Sequence, residues 1–416
     1  MLNQFVGAVV RYEGQKFLKF TGAPDLSSIS ARGKTRGDRV SLYIHIPFCR
    51  TLCPFCCFNR YLFKEDSARM YFKDLRKELD MYIGMGFKFN DFYFGGGTPT
   101  VLMDELSEFI AYLKSKFEVK RISLETTPRE LTPETVEQLR KLGINRLSVG
   151  VQSFDNGLLK DMGRTLFNGE DSIEKLKFVQ GKFDTVNVDL MFNFPSQTLE
   201  QFKSDVRIFK DLGIDQATFY PLMPSPHKMD ALTKKFRKVD TSREKQFYDI
   251  VLDELLDHGY KASTAWCFSR GDLMIDEYII DYDDYIGIGA GSVGFLGGDF
   301  LVNSFSLEGY HKLIEASRLP IVRMRRLSRT EHCRYYMLTK LFGMGLNTKQ
   351  FQNRFNAGIH SRLWAELLFF KTMGIIKEKD GLISVTRSGM YPVGTMMKEF
   401  FASLNTLREY CIEAGI

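Results

Sequence analysis

Between residues 41 and 222 six short β-rich runs alternate with helical stretches, and this alternation constrains the fold more than any other feature. The runs are SLYIHI (41–46), DFYFG (91–95), RISLET (121–126), RLSVGV (146–151), VNVDLMF (186–192) and ATFYPL (217–222). Strands separated by helices form a parallel sheet covered by those helices. The intervening stretches carry helix signals. Thr132 precedes Pro133 and Gly143 follows; Thr198 with Gln201 reads as a capping box, and Gly213 as a stop. Six such units predict an open, partial (β/α)6 barrel rather than a complete eight-fold one.

Around it the sequence divides into a lead-in (1–40), the barrel (41–222), a less regular extension that covers substrate or cofactor (223–325) and a C-terminal segment (326–416). In the last, Ser328 and Glu331 read as a capping box, helices are expected near 347–356 and 359–373, and Lys379-Asp380-Gly381 turns a hairpin. Helices plus a hairpin predict a winged-helix-like module. Leu363, Trp364, Leu367, Leu368 and Phe369 in its second helix are expected to be buried, and no dense basic cluster suggests nucleic acid. A net charge of +6 permits an anionic substrate, and the basic run Arg32–Arg39 reads as a solvated loop. No apolar run is long enough to span a bilayer and no secretory signal is evident. Seven cysteines, four of them between 49 and 57, fit a reducing cytoplasm rather than a disulfide scaffold.

Cys49, Cys53 and Cys56 follow the first strand in a C-x3-C-x2-C spacing. Three thiolates in one loop hold three corners of a four-iron cluster and leave one iron open for chemistry. A structural zinc site is the weaker alternative, because no second ligand pair follows. Cys57 reads as an accessory or loop-packing thiol. In parallel α/β barrels function gathers at the carboxyl ends of the strands. There this sequence places the cysteine loop, Gly95-Gly96-Gly97-Thr98-Pro99, Glu125, Gln152, Asp189 and Pro221. An open iron suits a chelating amine and carboxylate, as S-adenosylmethionine offers. Glu125 could meet ribose hydroxyls or the ammonium, Arg164 a carboxylate and Asp189 an ammonium or hydroxyl, unless these three close an internal ion-pair ring. Gly289-x-Gly291-x-x-Gly294 is not read as a dinucleotide fingerprint, because no helix opens after it; a glycine-rich loop close to cofactor or substrate is expected.

YIHIPFCRTLCPFC, GGGTPT, LETTP, VGVQSFD and DLMFNFP together resemble the radical S-adenosylmethionine superfamily. Within it the chain resembles the oxygen-independent coproporphyrinogen III oxidase family, whose relatives include haem chaperones, anaerobic haem-degrading enzymes and radical methyltransferases or cyclopropanases. The resemblance implies a [4Fe–4S] cluster on Cys49, Cys53 and Cys56, and reductive cleavage of S-adenosylmethionine to a 5′-deoxyadenosyl radical. It implies that Tyr43, Gly96 and Glu125 contact the cluster-bound S-adenosylmethionine. Phe55, Gly97, Thr98, Gln152, Arg164, Asp189 and Pro221 match positions that hold a second one, and Val293 another cofactor contact. A tetrapyrrole-like substrate and a reductant such as flavodoxin or ferredoxin are implied too. The chain departs from the oxidase pattern at Phe58, where the oxidase has a fourth cysteine, and from the chaperone pattern at Asp276-Glu277-Tyr278, which replaces a His-Asn motif. Tyr278, Tyr282 and Cys267 stand as either haem ligands or, with Trp266, packing residues. A carrier that binds haem without turnover is the alternative to an enzyme.

Overall fold

The computed structural model describes residues 20, 21, 29, 40–236, 238–271 and 278–415. The basic run 32–39 and Asp276-Glu277 lie outside them. Six core strands occur where expected: β1 (Val40–Ile46), β2 (Asp91–Gly96), β3 (Arg121–Thr126), β4 (Arg146–Gln152), β5 (Thr185–Phe192) and β6 (Gln216–Pro221). All seven residues of β1 are buried, as in a parallel strand covered on both faces. The helices begin on their own caps. Thr132 Oγ1 accepts from Thr135 N at 3.2 Å, and capping boxes at Thr198 and Ser328 open Leu199–Leu212 and Arg329–Phe342.

Six further strands join the same sheet: β7 (Lys261–Ala262), β8 (Cys267–Ser269), β9 (Asp284–Ile288), β10 (Val293–Leu296), β11 (Asp299–Asn303) and β12 (Ile321–Arg326). The order is β12-β11-β10-β9-β1-β2-β3-β4-β5-β6-β8-β7. β9 pairs with β1 in parallel, adding a seventh strand to the parallel run, while β8 pairs antiparallel to β6. The barrel is partial and does not close: its two edges continue into antiparallel strands drawn from residues 261–326. Gly294 lies inside β10, so no helix opens after the glycine run.

The C-terminal segment holds helices Arg329–Phe342 and Thr348–Phe355 and a three-stranded sheet of β13 (Gly345–Asn347), β14 (Ile376–Lys379) and β15 (Leu382–Val385). Two expectations change here. The helix near 359–373 is broken at Leu363 into Ile359–Arg362 and Trp364–Thr372. Of the five residues expected to be buried only Leu363 and Leu367 turn inward, joined by Phe370; Trp364, Leu368 and Phe369 are 65%, 58% and 37% exposed. The i, i+4, i+7 stripe fills the contact, and residues about 100° away around the helix face solvent. A 27-residue helix, Arg387–Glu413, ends the fold and packs against Arg329–Phe342. None of the described helices is long and apolar enough to cross a membrane.

Candidate functional site

β1 delivers the chain to the cysteine loop at the carboxyl edge of the sheet. Phe48–Cys49 pairs in parallel with Tyr61–Leu62, so both ends of the loop are clamped. Inside it Cys56 N donates to Cys53 O at 3.3 Å, and the Arg60 guanidinium donates to the carbonyls of Cys53 and Cys56. Cys49, Cys53 and Cys56 are free and half-buried. A tetrahedral zinc ion would draw thiolate sulfurs to about 3.8 Å from one another, given its Zn–S bond length. These three sulfurs are not all within 4.8 Å of one another, which is wider than the grip of one zinc ion. Burial, followed by the neighbouring Cys56 thiol, pushes the Cys49 thiol up to about 11. Coordination to a metal supplies the cation that makes such a thiol a thiolate. The donor set therefore fits an iron–sulfur cluster. Cys57 belongs to a different contact: its Sγ donates to Met223 O and accepts from Ser225 N, both at 3.2 Å, tying the loop to the chain after β6.

The next strand brings the glycine run against this loop. A Cβ on Gly97 would lie 2.6 Å from Phe48 O, and one on Gly96, whose φ is +110°, 2.6 Å from the His45 ring. Glycine is required for this approach of backbone to backbone. Glu125, on β3, accepts from Tyr93 Oη at 2.9 Å and from Gly96 N at 3.0 Å. Thr98 Oγ1 lies 3.7 Å from Cys49 Sγ. His45 Nε2 faces the carbonyl of Asn59 at 2.8 Å, so Nε2 carries the proton and Nδ1 accepts from Tyr43 Oη at 2.9 Å. Burial holds the His45 pKa down at about 4, so this relay is neutral.

On the following strands Gln152 adopts a left-handed φ of 77° where the β4–β5 register shifts. Such a conformation is strained in a non-glycine residue. Asp189 on β5 accepts from Ser148 Oγ at 3.1 Å and Asn187 Nδ2 at 2.8 Å. Arg164 lays its guanidinium over the Phe167 ring, 5.5 Å from the centroid, and its buried Nε has no hydrogen-bond partner. Pro221 ends β6, and Phe55 packs edge-on against Phe194.

These residues line one cavity of about 320 Å³: Cys49, Cys53 and Cys56, with Tyr43, Phe55, Gly96, Gly97, Thr98, Glu125, Gln152, Arg164, Asp189 and Pro221. That volume is within the range of small-molecule pockets. Val293 is not on this wall; it pairs with Val302 in the β10–β11 hairpin. The glycine-rich loop likewise lies behind the site rather than on it. Ala290 O accepts from Asn59 Nδ2 at 3.0 Å, and Gly289 N donates to the buried Glu78. Of the residues left open between haem ligation and packing, Tyr282 accepts from Arg121, the first residue of β3, at the end of the sheet away from the cysteines. Cys267 is fully buried in β8, and Trp266 is both core and cavity wall.

The far wall escaped the sequence reading. Ile279, Phe401, Asn405 and Arg60 line the cavity too. Phe401 and Asn405 come from the C-terminal helix, some 350 residues beyond the cysteines, and no local pattern marks them. Arg60 follows Cys56 closely enough to have been noticed.

Residues 43–225 match the Radical SAM superfamily. The chain is 30% identical to the heme chaperone HemW of Buchnera aphidicola, over 61% of this chain and 70% of that one. It is 28% identical to the oxygen-independent coproporphyrinogen III oxidase of Helicobacter pylori, over 88% of this chain and 86% of that one. Its fold is similar to that of coproporphyrinogen III oxidase (HemN) from Escherichia coli, with a TM-score of 0.78 at 22% identity, covering 92% of this chain and 95% of that one.

Proposed function

Because this chain belongs to the radical S-adenosylmethionine superfamily, in its oxygen-independent coproporphyrinogen III oxidase-like family, we propose that it is a radical enzyme acting on a tetrapyrrole-like substrate. Cys49, Cys53 and Cys56 would hold a [4Fe–4S] cluster, with S-adenosylmethionine beside it. When bound, and reduced by a donor such as flavodoxin or ferredoxin, such a cluster would supply the one-electron cleavage of S-adenosylmethionine to methionine and a 5′-deoxyadenosyl radical able to take a hydrogen atom from the substrate. The observation that carries this reading is convergence: Cys49, Cys53 and Cys56, Glu125 and Arg164 line one cavity at the carboxyl edge of the sheet.

Each side chain then has a task. Glu125, held by Tyr93 and Gly96, receives ribose hydroxyls or the ammonium. Arg164 pairs a carboxylate, which gives its buried Nε the acceptor it lacks. Gly96 and Gly97 let the peptide backbone approach the cofactor. Phe55, Thr98, Gln152, Asp189 and Pro221 give the same cavity a further polar and apolar wall, which supports a second S-adenosylmethionine. The reaction is either oxidation at a substrate carbon or transfer of a methyl or methylene group that uses the second S-adenosylmethionine. Such chemistry belongs in a reducing cytoplasm.

The test is to reconstitute and reduce the protein, add S-adenosylmethionine and candidate tetrapyrroles, and measure 5′-deoxyadenosine and product mass. Formation of both supports the enzyme, and Cys53→Ala is expected to lose the brown iron–sulfur absorbance and all cleavage. The likeness to heme chaperone HemW favours a second reading, a haem carrier. Tight haem binding with no altered product would replace the enzyme by that carrier.

A further inference from the structure

The cysteine loop carries two arginines, and they are spent differently. Arg50, after Cys49, donates Nε to Glu130 at 2.7 Å and Nη2 to Glu130 and Val101 O at 3.3 Å, so a carboxylate balances its charge. Arg60 turns back on the loop and donates through Nη2 to the carbonyls of Cys53 and Cys56. Its Nε and Nη1 are buried without a hydrogen-bond partner, and among the described residues it forms no ion pair. Guanidinium cannot shed its proton, and a buried N–H without an acceptor is rare in a native structure. The side chain lines the cavity together with Cys53 and Cys56. Two idle donors on a cation there call for an anionic acceptor that arrives when the cavity is filled.

The sulfurs of the loop narrow the choice of acceptor. Cys57 Sγ already accepts from Ser225 N at 3.2 Å, and Thr98 Oγ1 lies 3.7 Å from Cys49 Sγ. Cys53 and Cys56, whose carbonyls hold Arg60, have no donor to their sulfurs among the described residues. Three thiolates outweigh the charge of an oxidised four-iron core, and an added electron widens that excess. A cation held against the ligand loop, two of its nitrogens out of contact with water, then favours the reduced form, because opposite charges attract more strongly where water is excluded. Hydrogen bonds to cluster sulfur likewise set the potential.

We propose that Arg60 is the counter-charge of the cluster: fastened by Nη2 to the Cys53 and Cys56 carbonyls, it donates Nε–H and Nη1–H to cluster sulfur on that side and raises the reduction potential. The inference rests on the cluster assignment above and goes beyond it. The electron still comes from the external donor; Arg60 makes the cluster easier for that donor to reduce. The planar fork suits the task, since one edge can hold the loop while the other faces the cluster.

The test uses the full-length, cluster-loaded protein without S-adenosylmethionine and reads the reduction potential by EPR-monitored titration. Arg60→Gln keeps an amide donor for the loop carbonyls and removes the charge. Its cluster should be about tenfold harder to reduce than that of wild type, a fall of about 59 mV for one electron. Arg60→Lys, which restores the charge, should recover at least half of that fall. An unmoved potential in Arg60→Gln would overturn the proposal, and weaker S-adenosylmethionine binding by that variant would then assign the guanidinium to the carboxylate of the cofactor. A fall that Arg60→Lys does not recover would trace to a disturbed loop and overturn it as well. If Arg60→Gln holds no cluster, wild type carrying arginine labelled with heavy nitrogen in its guanidinium decides. Coupling of that nitrogen to the spin of the reduced cluster, absent in Arg60→Lys, supports the donor; no coupling in wild type removes it. Wild type that loads no cluster removes the cluster assignment and the inference together, whereas a loaded cluster indifferent to Arg60 removes the inference alone.

Discussion

Gly96 joins two constraints that meet at no other residue of the loop. Its φ is +110°, and a Cβ would enter the His45 ring at 2.6 Å. Backbone strain and overpacking each cost on the order of 1–3 kcal/mol. Gly96→Ala is therefore expected to lose about 3 kcal/mol of stability, read by urea denaturation, and to lose affinity for S-adenosylmethionine with it. Glu125→Gln tests the neighbouring carboxylate. The amide still accepts from Gly96 N but carries no charge, so S-adenosylmethionine should bind about tenfold more weakly in equilibrium dialysis while the fold is kept. Unchanged affinity would remove Glu125 from the cofactor site. At this scale the sequence was readable: cysteines, glycines and a carboxylate announce themselves by type and spacing. His45 did not, because a lone histidine in a strand looks like packing until its neighbours are known.

Among the elements, the helix Glu65–Gly84 is fastened to the late β9–β11 segment by one buried carboxylate. Glu78 accepts from Gly289 N at 2.7 Å, Tyr310 Oη at 2.6 Å and Asn303 Nδ2 at 2.7 Å. Burial outweighs these donors and pushes the Glu78 pKa up from 4.5 to about 7. The folded state then binds more protons than the unfolded one between those values. Glu78 therefore favours folding increasingly as the pH falls from about 7 to 4.5, by up to about 3 kcal/mol. Asp205, also raised to about 7, acts in the same direction, and His45, lowered to about 4, in the opposite one. The difference between wild type and Glu78→Gln isolates the one group: wild type should gain about 3 kcal/mol on the variant as the pH falls across this window in denaturation curves. Parallel curves would contradict it. The β/α units were legible because period, caps and stops agree within each. The C-terminal helix was not: Gly389, Pro392 and Gly394 interrupt its helical pattern. Gly394 is explained only by its neighbour, since a Cβ there would lie 3.0 Å from Trp266 Nε1.

Across the whole molecule, Trp266 is the point where sheet, extension and C-terminal helix meet. Its ring packs edge-on against Phe342 at 4.9 Å and lies 6.0 Å from Phe401, and it lines the cavity. The other tryptophan, Trp364, is 65% exposed on the winged-helix-like module. Trp364→Phe leaves Trp266 as sole reporter. The variant should lose the red-shifted, acrylamide-quenched part of the emission and keep a blue-shifted component that a porphyrin in the cavity quenches. Undiminished emission from Trp266 at saturating porphyrin would place the ligand elsewhere.

By itself the sequence determined the βα units, the cluster loop and the rim of the site, because those depend on residue type and short-range spacing. It could not determine how the later chain returns. β9 adds a seventh parallel strand against β1, and Phe401 and Asn405 reach the cavity from the last helix. These contacts join residues hundreds of positions apart, with no periodicity linking them, and only tertiary packing brings them together.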